Sequence, residues 1–142
     1  MTDLHYTIPL EPRTKKNSQR ILKNKKTGQM FVSPSEEYKV FEAAAGYYLR
    51  RPKEPIREAV NVKCLYYMKT RRRVDLVNLL EATLDILVKY GILKDDNFTI
   101  VASTDGSEVL YDKTRPRTEI YITERHGQDV KNPSLTCHSV CE

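Results

Sequence analysis

The chain has 142 residues, the usual size of one domain, and its 39% hydrophobic and 30% charged residues are typical of a globular protein. No apolar run approaches the roughly 20 residues that span a bilayer, and the N-terminus lacks the pattern of a secretory signal. Three cysteines argue against a disulfide framework, so we expect a cytoplasmic location. The net charge of +5 weakly favours a polyanionic partner such as nucleic acid.

The N-terminal part has the pattern of a strand followed by a hairpin. Residues Leu4–Leu10 alternate loosely and meet two prolines, which predicts a first strand ending in a turn. A basic stretch follows. Two short apolar runs then flank Lys23–Gly28, which predicts a β-hairpin with a cationic tip.

The next segment predicts a helix and a long strand. Ser33 is placed to be an N-cap, with Pro34 at the first helical position and Glu36 completing a capping box. Apolar residues at helical spacing then carry the predicted helix to Arg50, before a proline. Residues Ala59–Lys69 alternate with period two, which predicts a strand with one apolar face that includes Cys64 as a core residue.

A second helix is predicted from Asp75 to about Tyr90, where Gly91 stops it. Its apolar residues cover a broad sector, so the helix should be mostly buried, with one polar stripe. Short strands are then predicted at 98–102, 109–111 and 117–123. The interleaved order favours a single α+β domain over residues 1–123, with a mixed sheet and two main helices. Residues 124–142 are predicted to be a flexible polar tail, in which we do not expect zinc to bind Cys137, His138 and Cys141.

The polar stripe of the second helix is acidic. Asp75, Asn78, Glu81 and Asp85 share it, and Asp95 and Asp96 follow in a turn that could fold back toward the helix. Clustered carboxylates are the ligands that Mg²⁺ or Mn²⁺ needs. Purely structural alternatives stay open. Asp75 could be an N-cap, the Asp pair could form a simple turn, and the helix acids could lie on a solvated face.

Positive charge surrounds these acids. A metal ion that bridges carboxylates to a phosphodiester would explain an acidic spot inside a basic surface. The basic loops at the N-terminus and hairpin tip could equally be solvated loops. The candidate nucleic-acid-binding residues are Lys15, Lys16, Asn17, Lys25, Lys26, Lys69, Arg71, Arg72 and Arg73.

These residues resemble the signature of the RusA family of Holliday junction resolvases. The similarity rests on the run RVDLVNLLEATLDIL at 73–87, then Gly91 and Asp95–Asn97, and it extends over residues 6–123. Lys16, Asn17, Ser35 and Tyr38 resemble the family's first hairpin and helix, and the run from Arg117 resembles its final strand. The resemblance implies small, homodimeric, Mg²⁺-dependent endonucleases, often phage-encoded, that cut four-way DNA junctions by paired symmetric nicks.

By position, Asp75 matches the family's first catalytic Asp and Asp96 matches the Asp of the pair after the helix. Asn78 matches the motif Asn, and Asp85 matches the acid further along. Two positions depart from the pattern: Val77 replaces the second catalytic Asp, and Glu81 replaces a Lys. The resemblance implies either a variant site in which Glu81 supplies the missing ligand, or an inactive one.

Three hypotheses follow. The main one is a structure-specific endodeoxyribonuclease with Asp75, Asp96 and Glu81 as catalytic residues. Its metal ligands, for Mg²⁺ with Mn²⁺ as a substitute, are drawn from Asp75, Glu81, Asp85, Asp95 and Asp96, with Asn78 supporting. The second is a non-catalytic branched-DNA-binding protein of the same fold. The third is a general basic nucleic-acid-binding module.

Overall fold

The computed structural model describes residues 3–15 and 19–125, and for residues 19–21 and 31–34 it describes the backbone alone. The mixture of helices and strands in one small domain confirms the predicted α+β class. In chain order the elements are β1 (Asp3–Ile8), β2 (Gln19–Lys23), β3 (Met30–Pro34), α1 (Glu36–Ala45), a 3₁₀ turn (Gly46–Tyr48), β4 (Val60–Met68), α2 (Leu76–Lys89), β5 (Val101–Ser103), β6 (Glu108–Tyr111) and β7 (Arg117–Glu124).

The main sheet is mixed and is built around β4. Strand β7 lies between β1 and β4 and is antiparallel to both. On its other side β4 pairs in parallel with two short strands in succession, β5 near its start and β6 near its end. Strands β2 and β3 form a separate antiparallel hairpin, as predicted.

The core lies on one face of this sheet. All five residues at alternate positions of β4, from Val60 to Met68, are at most 2% exposed, which confirms the predicted period-two face. Burial raises the pKa of Cys64 on this face to about 12. The Tyr66 hydroxyl and the Thr83 hydroxyl of α2 are 2.7 Å apart, so the one polar pair in this part of the core is satisfied.

The opposite face of the sheet carries charged and aromatic side chains. Arg117 donates to Glu119 Oε2 at 2.8 Å and to Asp112 Oδ2 at 3.0 Å, and its guanidinium lies 3.8 Å from the centre of the Tyr67 ring. The hydrogen bond from Arg117 is the main cause that lowers the pKa of Glu119.

Helix α2 follows the pattern expected from the sequence. Asp75 occupies the N-cap position, and Gly91, just past the C-cap Tyr90, has a φ of 77° that favours glycine. Its buried residues are Leu79, Ala82, Thr83, Ile86 and Leu87. The apolar sector therefore packs against the sheet, and the acidic stripe stays outside the core.

Helix α1 differs from its prediction at both ends. Ser35, not Ser33, is the N-cap: its Oγ accepts from the Tyr38 amide at 3.2 Å. Ser33 and Pro34 extend β3, because pairing with β2 continues through them. The helix ends at Ala45 instead of Arg50, and at Gly46 a Cβ atom would lie 2.5 Å from the Tyr90 ring.

The strand predicted at 98–102 begins too early, because β5 covers only Val101–Ser103. The Asn97 carbonyl accepts the amides of Ile100 and Val101, at 3.0 and 2.9 Å, and closes a turn that leaves Phe98 76% exposed. Local hydrogen bonding thus overrides the β-propensity of this run, and β5 starts only at Val101. The predicted tail lies outside the described residues from 126 onward. Among residues 3–15 and 19–125, no helix has the length and apolar character needed to cross a membrane.

Candidate functional site

The Asp75 side chain does not cap its helix. Although the residue has the extended backbone of an N-cap, its carboxylate accepts no capping hydrogen bond from α2. It accepts instead from the Asn78 side-chain amide, at 3.3 Å. Asp75 thus takes the N-cap position without a side-chain capping hydrogen bond, and the roles predicted for Asp75 and Asn78 in a metal site stay predictions.

Asp85, further along the stripe, is paired with a cation from another part of the chain. Lys15 Nζ lies 2.8 Å from Asp85 Oδ2, and both side chains are about one-third exposed. Lys15 was predicted to contact nucleic acid, yet the structure places its charge on a candidate metal ligand. Glu81, exposed and one turn earlier, lies on the same side of the helix.

The two acids after the helix have different surroundings. Asp95 accepts from the Asp96 amide at 2.7 Å and from the Asn97 side chain at 2.9 Å, and these bonds lower its pKa. This geometry supports the turn alternative for Asp95. The pKa of Asp96 is raised, first by partial desolvation and then by the hydrogen bond with Asp95 and the charges of Asp85 and Asp95.

Tyr38 of α1 is buried close to Lys15, the cation that pairs with Asp85. Its ring lies beneath Lys15, with Nζ 5.9 Å from the ring centre. Burial raises the pKa of Tyr38, and the charges of Glu42, Asp85 and Glu81 raise it further. Sequence patterns gave Tyr38 no functional role, since an aromatic residue at helical spacing usually indicates core.

The candidate acids do not form one compact cluster. Within the residues that the structure describes, no three side chains of His, Cys, Asp or Glu converge as a metal site would require. A rise of about 1.5 Å per residue separates Asp75 from Asp85 by about 15 Å along α2, so one ion cannot bind both. Glu81 lies between them, about 9 Å from Asp75 and 6 Å from Asp85.

In its chemistry the donor set fits a hard divalent cation. The candidates are carboxylates with an amide and a phenol nearby, all oxygen donors. The charges of Asp85 and Asp95 contribute to the raised pKa of Asp96. A bound cation would offset such negative charges.

Val77, which stands where the family has its second Asp, is 71% exposed at the first turn of α2. The structure places it one turn before Glu81 on the helix. An exposed aliphatic side chain at this position adds no ligand. The structure also gives Val77 no packing role, so the substitution has no structural explanation.

The basic residues after β4 lie near the start of α2. Lys69, Arg71, Arg72 and Arg73 are exposed. The Arg71 guanidinium lies 4.1 Å from the centre of the Tyr111 ring on β6, and with Arg72 these residues line a cavity of about 380 Å³. A stacked arginine and tyrosine can contact phosphates and bases alike. Sequence reasoning missed Tyr111, although its place in a predicted strand, just before the basic residues Lys113, Arg115 and Arg117, was a usable signal.

The other basic candidates lie at the hairpin tip and in the N-terminal loop. Lys25 and Lys26 are exposed in a turn that Asn24 closes, where its side chain accepts the Lys26 amide at 2.9 Å. Gly28 completes this turn with a φ of 76°. The cationic tip is thus present. Lys16 and Asn17 lie outside the described residues.

Residues 9–123 match the family model described as Endodeoxyribonuclease RusA. The match covers most of the chain, and the chain belongs to the RusA endodeoxyribonuclease family, as its motifs predicted. This family comprises divalent-metal-dependent nucleases that resolve Holliday junctions, so branched DNA is the class of substrate that membership implies. No individual curated protein matches the chain.

Proposed function

We propose that the protein is a Mg²⁺-dependent endodeoxyribonuclease that resolves four-way DNA junctions by paired symmetric nicks. The observation that carries the proposal is the acidic stripe of α2, which holds Asp75, Glu81 and Asp85 in a member of this nuclease family. Like charges four residues apart on a helix, such as Glu81 and Asp85, cost stability unless a cation compensates them.

Glu81, Asp85 and Asp96 would supply ligands for the cation, with Mn²⁺ as a substitute for Mg²⁺. Because these carboxylates do not converge among the described residues, their side chains would have to move together on binding. When bound, the ion lowers the pKa of a water molecule and offsets the negative charge of the phosphodiester. Asp75, supported by Asn78, lies at the far end of the stripe, where it can hold a second ion or orient the attacking water. Asp95 stabilises the loop that carries Asp96.

The cations of the chain would position the DNA. Lys15 supplies the positive charge that the family's Lys would provide at position 81, because its ammonium lies on the same acidic stripe. Arg71, with Lys69, Arg72 and Arg73 beside it, would bind phosphates next to the N-terminus of α2. Lys25 and Lys26 at the hairpin tip would contact a junction arm.

A homodimer suits this substrate. A four-way junction has two-fold symmetry, and a two-fold dimer would place one site on each of two opposed strands. We therefore propose that the active form is a homodimer in the cytoplasm of a bacterium, encoded by the bacterium, a phage or a prophage.

A second candidate function is a branched-DNA-binding protein without nuclease activity. The exposed Val77 in place of an Asp favours it, since one carboxylate of the family pattern is lost. Both candidates predict tight binding to a four-way junction. They differ in whether metal ions lead to strand cleavage.

The test uses a labelled mobile four-way junction and a linear duplex, with and without Mg²⁺ or Mn²⁺. Paired, metal-dependent nicks that Asp75→Asn abolishes would support the nuclease. Asp105→Asn, exposed and paired with Arg125 away from this site, is the matched control and should cleave normally. Asp75→Asn should also stay folded, because its side chain caps nothing.

Junction binding without nicks would exclude the nuclease and favour the second candidate. Equal affinity for linear duplex and junction would exclude both and favour a general basic nucleic-acid-binding module. Competition binding at a fixed salt concentration is needed for this comparison, because phosphate contacts make the affinity depend on salt.

A further inference from the structure

The core face of the main sheet is left partly exposed at β6. Val109 of β6 pairs in register with Tyr66 of β4, and the next pair on the same face joins Tyr111 to Met68. The two β4 residues are at most 2% exposed, whereas Val109 and Tyr111 are 37% and 41% exposed. Neighbouring apolar side chains that stay exposed in this way are typical of interaction sites.

A cavity of about 380 Å³ lies against this part of β6. Met68 and Leu110 contribute apolar atoms to its lining, and Arg71 and Arg72 line it from the segment that follows β4. The Arg71 guanidinium lies 4.1 Å from the centre of the Tyr111 ring, and both side chains are exposed. The cavity therefore offers a planar cation and an aromatic ring to a flat ligand.

The charge around the cavity is positive. Lys69, Arg72 and Arg73 are exposed on the same short segment between β4 and α2, and the residues that line the cavity include no acid. A flat ring next to a negative charge is what a nucleotide within a strand presents. A base inside a duplex has both faces covered by its neighbours, so only a base that has left the stack can enter.

We propose that this cavity binds one unstacked nucleobase at the branch point of a DNA junction. The base extends the stack of Arg71 and Tyr111, Val109 contacts its edge, and Arg72 binds the flanking phosphate. Aromatic rings and guanidinium planes are the groups on which proteins stack splayed bases. This inference rests on the proposed function, because it assumes that branched DNA is the ligand, but it requires no metal ion.

The experiment compares two four-way junctions in the presence of EDTA. Each has one unpaired nucleotide at the branch point, which carries its base in one junction and is abasic in the other. The phosphates are identical, so the ratio of the two affinities isolates the contribution of the base. Competition binding by the wild-type protein should favour the junction with the base by about 5- to 150-fold.

Three variants test the residues of the stack. Arg71→Lys keeps the charge but removes the plane, so the ratio should fall to about 1 while the salt dependence of binding to the abasic junction stays unchanged. Tyr111→Leu should lower the ratio likewise, and Tyr111→Phe, which keeps the ring, should retain it. Tyr47→Leu is the matched control: it removes an 89% exposed ring from the 3₁₀ turn after α1 and should leave the ratio at the wild-type value.

A wild-type ratio near 1 would overturn this inference and leave the proposed function standing. A wild-type ratio in Arg71→Lys would also contradict it. If Tyr111→Leu sediments as a smaller species than the wild-type protein, the patch contacts a second copy of the chain and the inference is wrong. If the wild-type protein binds neither junction, the proposed function fails and the inference fails with it. Circular dichroism verifies each fold, and Arg71→Lys, which changes an exposed side chain, decides the test if Tyr111→Leu is unfolded.

Discussion

Replacing Lys15 with methionine should have opposite effects on metal binding and on DNA binding. In the structure Lys15 Nζ forms an ion pair with Asp85 Oδ2 at a distance of 2.8 Å. A divalent cation must displace that ammonium before it can bind Asp85. Lys15→Met keeps the length of the side chain and removes the competing charge, so it should strengthen metal binding while it weakens contact with phosphates.

The magnitude follows from the exposure of the pair. The side chains of Lys15 and Asp85 are 33% and 35% exposed, so water screens their attraction. Pairs of this kind contribute about 0.2–1 kcal/mol, and the lower figure applies at high salt. Relief of that competition corresponds to a rise in Mn²⁺ affinity of about 1.4- to 5-fold.

Two assays measure the two effects. Calorimetric titration with Mn²⁺ gives the metal affinity, and junction binding at several salt concentrations gives the DNA affinity. Loss of one phosphate contact should lower the slope of log affinity against log salt by about 1. Lys89→Met, which breaks a 2.7 Å pair with Glu42 instead, is the control and should change neither quantity. An unchanged or reduced Mn²⁺ affinity in Lys15→Met would refute Asp85 as a ligand.

Three further predictions each remove or add one carboxylate. Asp96→Asn should raise the melting temperature at pH 7 by about 1–2 °C, because the raised pKa means that the folded state disfavours the ionised carboxylate. Thermal scans should show this gain disappear near pH 3. A gain at both pH values would contradict this cause. Val77→Asp should strengthen Mn²⁺ binding about fivefold. The melting temperature should stay unchanged, because the side chain is 71% exposed. An unchanged Mn²⁺ affinity would show that position 77 lies out of reach of the ion. Glu119→Gln should cost about 1–2 kcal/mol at pH 7. The pKa of Glu119 is lowered in the folded state, so its ionised carboxylate stabilises the wild-type protein above the usual pKa of 4.5. That stability is lost as the pH falls through the folded-state pKa. Urea unfolding should therefore show the stabilities of the variant and the wild type converge in acid.

Much of the fold could be predicted because local patterns coincide with burial. The alternation in β4 and the apolar sector of α2 both specify which face meets the core, and the structure buries the predicted residues. Gly91 likewise marks the end of α2, because its φ of 77° is a conformation that other residues avoid. These features depend on short-range geometry, so a sequence pattern is sufficient to specify them.

The errors occurred where two local signals competed. The sequence predicted Ser33 as the N-cap, but pairing between β2 and β3 continues through Ser33, so Ser35 caps the helix instead. The residues around Phe98 favour a strand by propensity, but the amides of Ile100 and Val101 donate to the Asn97 carbonyl and form a turn instead. In each case the deciding interaction involved backbone groups, whose partners are not encoded in side-chain periodicity.

The sequence by itself determined the nuclease family and the acidic stripe, since motif spacing and helix periodicity are properties of the chain. Only the tertiary structure paired Lys15 with Asp85 and buried the Tyr38 hydroxyl without a hydrogen-bond partner. Lys15 is 70 residues from Asp85 in the chain. Contacts at such separations depend on how the elements pack, because no local pattern records which distant charge will meet a given carboxylate.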